Sequence, residues 1–215
     1  PASIDKDTGL LTITGVGSVT VTATSKAVGY ENKTATWPFR ADEKPVTAVV
    51  TVDSKTYDSN TDATVTATLQ SSDLVGSDNI KIKLSGSFEN PNAGANKKVT
   101  VDSTSPDFTG STGSYQNYRI TYPATATASI FKAEVTDVIP PTAVNNLEYT
   151  GLPLTLVAAG SSTEGSLEYS LDDRTYSASL PTGISAGDYE VWYRVKGDGN
   201  HNDTTGTKLG TVTIA

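Results

Sequence analysis

Cysteine and methionine are absent from this 215-residue chain, and it contains one histidine and two tryptophans. Without cysteine there is no disulfide scaffold, no thiolate metal site and no cysteine nucleophile. A single histidine excludes a His-rich zinc site and a pair of catalytic histidines. No run of 18 apolar residues occurs, so no helical membrane span is expected. Net charge is -8 with 16 basic and 24 acidic residues. The overall field therefore repels phosphates and argues against a nucleic-acid binder.

What the chain does have is 34 Thr and 22 Ser, with 18 Gly. Thr suits a pleated, half-buried surface, and Ser, Gly, Asp and Asn suit turns. Hydrophobic residues alternate with polar ones. Val19, Val21 and Ala23 interleave with Thr20, Thr22 and Thr24. The same pattern runs through Val65–Leu69, Ile80–Leu84, Val99–Asp102 and Tyr189–Lys196. Period two of this kind predicts half-buried strands. Turn residues separate them at Asp7-Thr8-Gly9, Asn90–Asn96, Asp172-Asp173 and Gly197–Asn202. The best helix-like piece, Ser71–Asp78, makes one turn at most, with Ser72 or Asp73 as its cap. The fold class is all-β, built of tandem small modules, with helix below a tenth.

Two joints divide the chain. Asp42-Glu43-Lys44-Pro45 is charged and ends in proline; Val138-Ile139-Pro140-Pro141 is a stiff double-proline connection. The expected modules are 1–43, 44–137 and 138–215. The last has 4 basic against 9 acidic residues and so carries most of the negative charge. The second and third are distant repeats of each other. Each opens on an aromatic-led turn, Tyr57-Asp58-Ser59 or Tyr149-Thr150-Gly151. Each later places a ring after Asn, at Asn117-Tyr118 or Asn200-His201.

Those residues carry family resemblances. Residues 45–137 resemble the YDG domain of bacterial surface proteins, through Tyr57-Asp58-Ser59-Asn60-Thr61, Gly86-Ser87-Phe88, Asn92-Ala93-Gly94-Ala95-Asn96-Lys97, Asn117-Tyr118-Arg119-Ile120 and Ala126–Ile130. Residues 140–215 resemble an MBG-type module, through Tyr149-Thr150-Gly151, Leu167–Asp172, Ala186-Gly187-Asp188-Tyr189 and Gly197-Asp198-Gly199-Asn200. His201 departs from that pattern, where a Tyr commonly follows Asn. Residues 1–43 resemble the C-terminal half of a group 2 bacterial Ig-like domain, through Ala2-Ser3-Ile4-Asp5 and Gly17–Ala23. The chain is accordingly expected to start mid-domain. The resemblances imply an Ig-like sandwich fragment followed by two β-sandwich or β-grasp-like domains. They also imply an extracellular setting, on a bacterial cell surface or secreted. The expected function is that of a non-catalytic spacer or adhesin stalk. The alternative is a module that binds carbohydrate or mucin, with a host or extracellular glycan or protein as partner. Neighbouring modules of the same chain are the other expected contacts.

Candidate sites are few. Trp192 alternates away from Tyr189, Val191, Tyr193 and Val195, so it shares the outer face of a strand with Glu190 and Arg194. An aromatic flanked by hydrogen-bonding groups suits sugar stacking, although single exposed aromatics are common. Asp198-Gly199-Asn200-His201-Asn202-Asp203 begins like a calcium loop, but its sixth and twelfth positions are Asp203 and Leu209 instead of Gly and Glu. A looser calcium site on Asp198, Asn200 and Asp203 competes with a plain turn whose side chains bond their own backbone. His201 could serve as a general base, yet no Gly-any-Ser-any-Gly elbow accompanies it, so a ring filling a turn is the expectation. Asp172-Asp173 and Glu164/Glu168 read as exposed turn acids, not as a glycosidase pair. By analogy with load-bearing surface stalks, Lys97 or Lys98 with an Asn such as Asn117 could supply an isopeptide bond. Trp37, between Ala35 and Phe39, is expected to pack against the second module or a neighbouring molecule.

Overall fold

The computed structural model describes residues 2–215 and is nearly all β, with 54 % strand and 3 % helix. The strands in chain order are β1 (Ala2–Ile4), β2 (Leu11–Ile13), β3 (Gly17–Ser25), β4 (Lys33–Ala41), β5 (Lys44–Thr47), β6 (Val49–Val52), β7 (Lys55–Thr56), β8 (Asp62–Thr68), β9 (Lys81–Phe88) and β10 (Gly94–Asp107). They continue with β11 (Tyr118–Thr121), β12 (Thr125–Phe131), β13 (Thr142–Ala143), β14 (Leu154–Thr155), β15 (Val157–Ala158), β16 (Gly165–Ser170), β17 (Thr182–Gly183), β18 (Gly187–Gly197) and β19 (Thr207–Ile214). Two 3₁₀ turns lie at Ser71–Asp73 and Tyr115–Asn117. The first was expected to be capped by Ser72 or Asp73. Its cap is Gln70, which makes no side-chain cap bond. Among the described residues no helix is long and apolar enough to cross a membrane.

The chain forms two compact units. One comprises the N-terminal segment through Asp53, Asp62–Ser87 and Lys98–Thr127; the other comprises Ser54–Thr61, Phe88–Lys97 and Ala128–Ala215. Each therefore draws on segments that are not contiguous in sequence.

In the first unit, alternation decides which side chains go inside. Along β8, Ala63, Val65 and Ala67 are buried while Thr64, Thr66 and Thr68 are exposed. Along β9, Ile82 and Leu84 are buried between exposed Lys81 and Lys83. Each fully buried Val, Ile or Leu contributes about 1.5–3 kcal/mol. β6, β8 and β9 are neighbours in that order in one antiparallel sheet, and β5 pairs in parallel with β11. Gly86 is required in β9, because a Cβ there would lie 2.7 Å from Val65 Cγ2 and 3.0 Å from the Thr100 carbonyl.

β1–β2 and β3–β4 form two-stranded antiparallel sheets. In the latter, Val21 faces Trp37 and Val19 faces Phe39. Trp37 keeps 51 % of its surface exposed and Phe39 46 %. Within the chain, a ribbon of two strands covers an aromatic only against its cross-strand partner, which for Trp37 is Val21.

The second unit has its core between the sheet β16-β18-β19 and the short strands β13–β15. Leu156, Val157, Leu167, Tyr169, Val191, Val195, Val212 and Ile214 are buried together, with Tyr189, Tyr193 and Leu209 packed against them. A bulge shifts the β18–β19 register between Val191, opposite Gly210, and Trp192, opposite Lys208. Leu209 is the extra residue. It turns into the core, and Lys208 comes to stand beside Trp192.

Candidate functional site

The outward face of β16, β18 and β19 holds the residues the sequence singled out. Val191 and Val195 of β18 point into the core, so Glu190, Trp192 and Arg194 share the other face. Trp192 is half-buried, and the Lys208 ammonium lies 5.4 Å from its ring centroid. The same ammonium meets Glu190 Oε1 at 2.5 Å. Arg194 donates from Nε and Nη2 to Glu168 Oε2 at 2.9 and 2.7 Å, and its guanidinium stacks on the Tyr176 ring at 4.4 Å. Burial, then the hydrogen bond to Asp173, pushes the Tyr176 hydroxyl up to about 12. Two aromatic rings, each under a cation that is itself held by a carboxylate, make one polar–aromatic strip. Its charged groups can donate to and accept from hydroxyls presented over Trp192. Lys208, Glu168 and Tyr176 were not in the sequence-derived set of binding residues. Lys208 is brought in by the bulge, and Tyr176 by a loop whose path strand periodicity does not describe.

The 198–203 turn is a closed network. Asp198 Oδ1 accepts the N–H groups of Asn200 and His201 at 2.7 and 2.9 Å, and lies 2.8 Å from His201 Nδ1. Asn200 Oδ1 accepts the Ala93 N–H at 2.9 Å, and Asp203 Oδ1 the Gly197 N–H at 3.0 Å. One oxygen of each of these three side chains is thus bonded to a backbone N–H. Among the described residues no group of three or more His, Asp or Glu is placed to hold a metal. The Asn200 N–H and then the His201 ring hold the Asp198 carboxyl below its ordinary range.

His201 is 9 % exposed. Its ring lies edge-on to Tyr57, with centroids 5.4 Å apart, and its Nε2 is 3.7 Å from Glu164 Oε1. Lys132 Nζ donates to the carbonyls of Asp198 and His201 at 2.9 and 3.1 Å. The buried ring of Tyr118 has a like position after Asn in the first unit: its hydroxyl donates to Asp78 Oδ2 at 2.7 Å and accepts the Val75 N–H at 2.8 Å. In both places a ring following Asn ties down a loop through a carboxylate. Tyr57 and Lys132 could not have been placed beside His201 from spacing, because they come from segments far away in sequence.

The remaining acids also serve backbone. Glu164 accepts the N–H groups of Thr136 and Asp137, and these bonds lower its pKa, Asp137 first. Asp172 accepts from the N–H groups of Thr175 and Arg174 and from Ser170 Oγ, which hold it far below the usual carboxylate range. Asp173 occupies a left-handed position, φ 56°, that completes the turn. Lys97 is buried, and its Nζ donates to Asn90 Oδ1 at 2.6 Å. The Asn117 carboxamide accepts the Val16 N–H at 3.1 Å. A cleft of about 630 Å³ in the first unit is lined by Arg40, Asp42, Glu43 and Arg119. Arg40 is already held by Asp42 at 2.6 Å, so the cleft carries no excess of either charge.

No curated protein and no solved structure matches the chain. A YDG domain is found at residues 42–128.

Proposed function

We propose that this chain is a non-catalytic spacer or adhesin-stalk segment of a large extracellular bacterial surface protein. On this reading an Ig-like part precedes the YDG domain and an MBG-type part follows it. One observation carries the proposal. Among the side chains with most chemical capability, Asp198, Glu164 and Asp172 each accept turn or loop backbone N–H groups, and the His201 ring is tied to Asp198 and faces Glu164, so these groups serve local structure. Alternating strands with Thr outward give a polar surface over small cores, which suits a module whose task is to persist and hold distance.

The second reading is a carbohydrate- or mucin-binding module. It is favoured by the strip of Trp192, Lys208, Glu190, Arg194, Glu168 and Tyr176 on one sheet face. One experiment separates the two. The chain and its Trp192→Ala variant are screened on arrays of glycans and mucins. A spacer gives no Trp192-dependent signal; a binder gives a signal that the variant loses.

A further inference from the structure

The first unit contains a gap between two parallel strand paths. β5 pairs with β11 from Lys44↔Tyr118 to Thr47↔Thr121, and the Ala48 N–H continues the pairing to the Thr121 carbonyl at 2.9 Å. Beyond that point the paths part. β6 is an edge of its sheet and pairs only with β8. Between β6 and the start of β12 lies a cleft of about 580 Å³, lined by Val49–Val52, Pro123 and Thr125–Thr127. That volume falls among ligand-sized clefts, roughly 300–1,000 Å³.

Hydrogen-bond parity shows what faces the cleft. The Asp53 N–H donates to the Thr64 carbonyl at 3.2 Å, in the register that pairs Val52 with Val65. In an antiparallel pair, bonded and non-bonded positions alternate. Thr51 and Val49 therefore direct their peptide groups to β8, and Val50 and Val52 direct theirs to the opposite side, as Ala48 does. On the other wall the Ala124 carbonyl accepts the Val101 N–H at 3.0 Å, so even-numbered peptide groups face β10 and those of Thr125 and Thr127 face away. Farther along β12, within the second unit, the Ser129 N–H donates to Ser54 Oγ at 3.0 Å and the Phe131 carbonyl accepts the Tyr57 N–H at 2.8 Å, on the same odd-numbered side. Two rows of backbone donors and acceptors thus border one slot. Pro123 has no N–H to offer and keeps the walls from zipping shut beside it.

We propose that this slot binds an extended peptide segment by strand insertion. The occupant is a single strand, because each wall offers one row of partners and a hairpin would need a third. A second folded copy of this chain does not fit that description, since each of its strands already has a paired neighbour. The lining carries no ionisable residue, so the segment is uncharged over the open stretch. Val50, Val52 and Ala126 are half-buried, which selects small or β-branched side chains on alternate positions. Four residues of open wall correspond to a strand of about 13 Å, hence a segment of roughly four to six residues. The inference is independent of the spacer reading.

The probe is an acetylated, amidated hexapeptide of alternating Thr and Val, added to the isotope-labelled chain. Amide hydrogen exchange is read residue by residue. At saturation, exchange at Val50, Val52 and Thr127 slows by about tenfold or more, while Val49 and Thr51, already bonded to β8, do not change. The peptide N-methylated at alternate residues gives no protection. Val50→Pro removes one slot-facing donor without touching the β8 bonds and weakens binding roughly three- to tenfold; Thr125→Pro does the same from the other wall, should the first variant not fold. The proposal fails if the peptide protects none of these amides. It also fails if Val50 and Val52 in the free chain already exchange as slowly as Val49 and Thr51. Equal protection by a peptide with Asp at alternate positions overturns the uncharged assignment.

Discussion

The rings of Tyr57 and His201 meet edge to face, with centroids 5.4 Å apart and planes at 84°. They come from loops 144 positions apart in the chain, yet both lie in the second unit. His201 also bonds Asp198, and its backbone accepts from Lys132. One buried residue therefore joins three segments.

His201→Ala is expected to destabilise the second unit by roughly 1–3 kcal/mol, since it removes a buried ring and leaves Asp198 short of a partner. His201→Tyr keeps the ring contact and costs less. Urea unfolding followed at Trp192 decides the matter; an alanine variant within about 0.5 kcal/mol of the parent contradicts it.

Gly86→Ala inserts a methyl against Val65, Val99 and the Thr100 carbonyl, all within 3.1 Å of an ideal Cβ. Two of these contacts are with packed side chains and one is with backbone, so relief needs a shift of the sheet. A loss of about 1–3 kcal/mol is expected. Thermal unfolding of the variant measures it, and an unchanged midpoint shows that the sheet gives way freely.

Leu156 has no exposed surface and Trp192 is half-buried on the outer face. Leu156→Ala should cost about 2–5 kcal/mol through transfer and cavity terms. Lys208→Ala, which removes the cation over Trp192, should cost no more than about 1 kcal/mol. Denaturant midpoints of the two variants should therefore separate clearly; similar midpoints would place Leu156 outside the core.

Asp172, Asp198 and Glu164 all titrate below their ordinary values, each chiefly because backbone N–H groups bond the carboxylate. The unfolded chain then binds protons at a higher pH than the folded one. Their contribution to stability is whole above the ordinary carboxylate range, about 3.9–4.3, and is lost as pH falls through the folded values. Acid titration of a Trp37→Phe background, read at Trp192, should show stability falling from about pH 4 downward. Asp172→Asn should lower stability at neutral pH and flatten that acid limb; an acid profile identical to the parent's would exclude Asp172 as a contributor.

Much of this was legible in the sequence, for a local reason. In a strand the side-chain period is two whatever the surroundings, so Ala63-Thr64-Val65-Thr66-Ala67 announces both its conformation and its buried face. The same rule put Glu190, Trp192 and Arg194 on one outer face. Asp172 was legible too, because Asx-type bonds reach only two or three residues along the chain. Glu164 and Glu168, expected as exposed turn acids, are instead half-buried. Glu164 bonds Thr136 and Asp137 from far along the chain, and Glu168 stands in β16 against Arg194. How much of Trp37 the chain itself covers was not legible, because that depends on how many strands its sheet has, which its own segment does not encode.

Tertiary structure alone decided the rest. Lys208 reaches Trp192 only because a bulge swallows Leu209. Tyr57 and Lys132 reach His201 only because distant segments are brought into one unit. The gap between β6 and β12 exists because two parallel strands, paired up to Ala48, separate at Pro123. By itself the sequence, rich in Thr and alternating in its strands, determined an all-β chain, since composition and alternation act residue by residue. Which side chains meet, and where backbone is left unpaired, depends on contacts between segments remote in the chain, and that is settled only when the chain closes on itself.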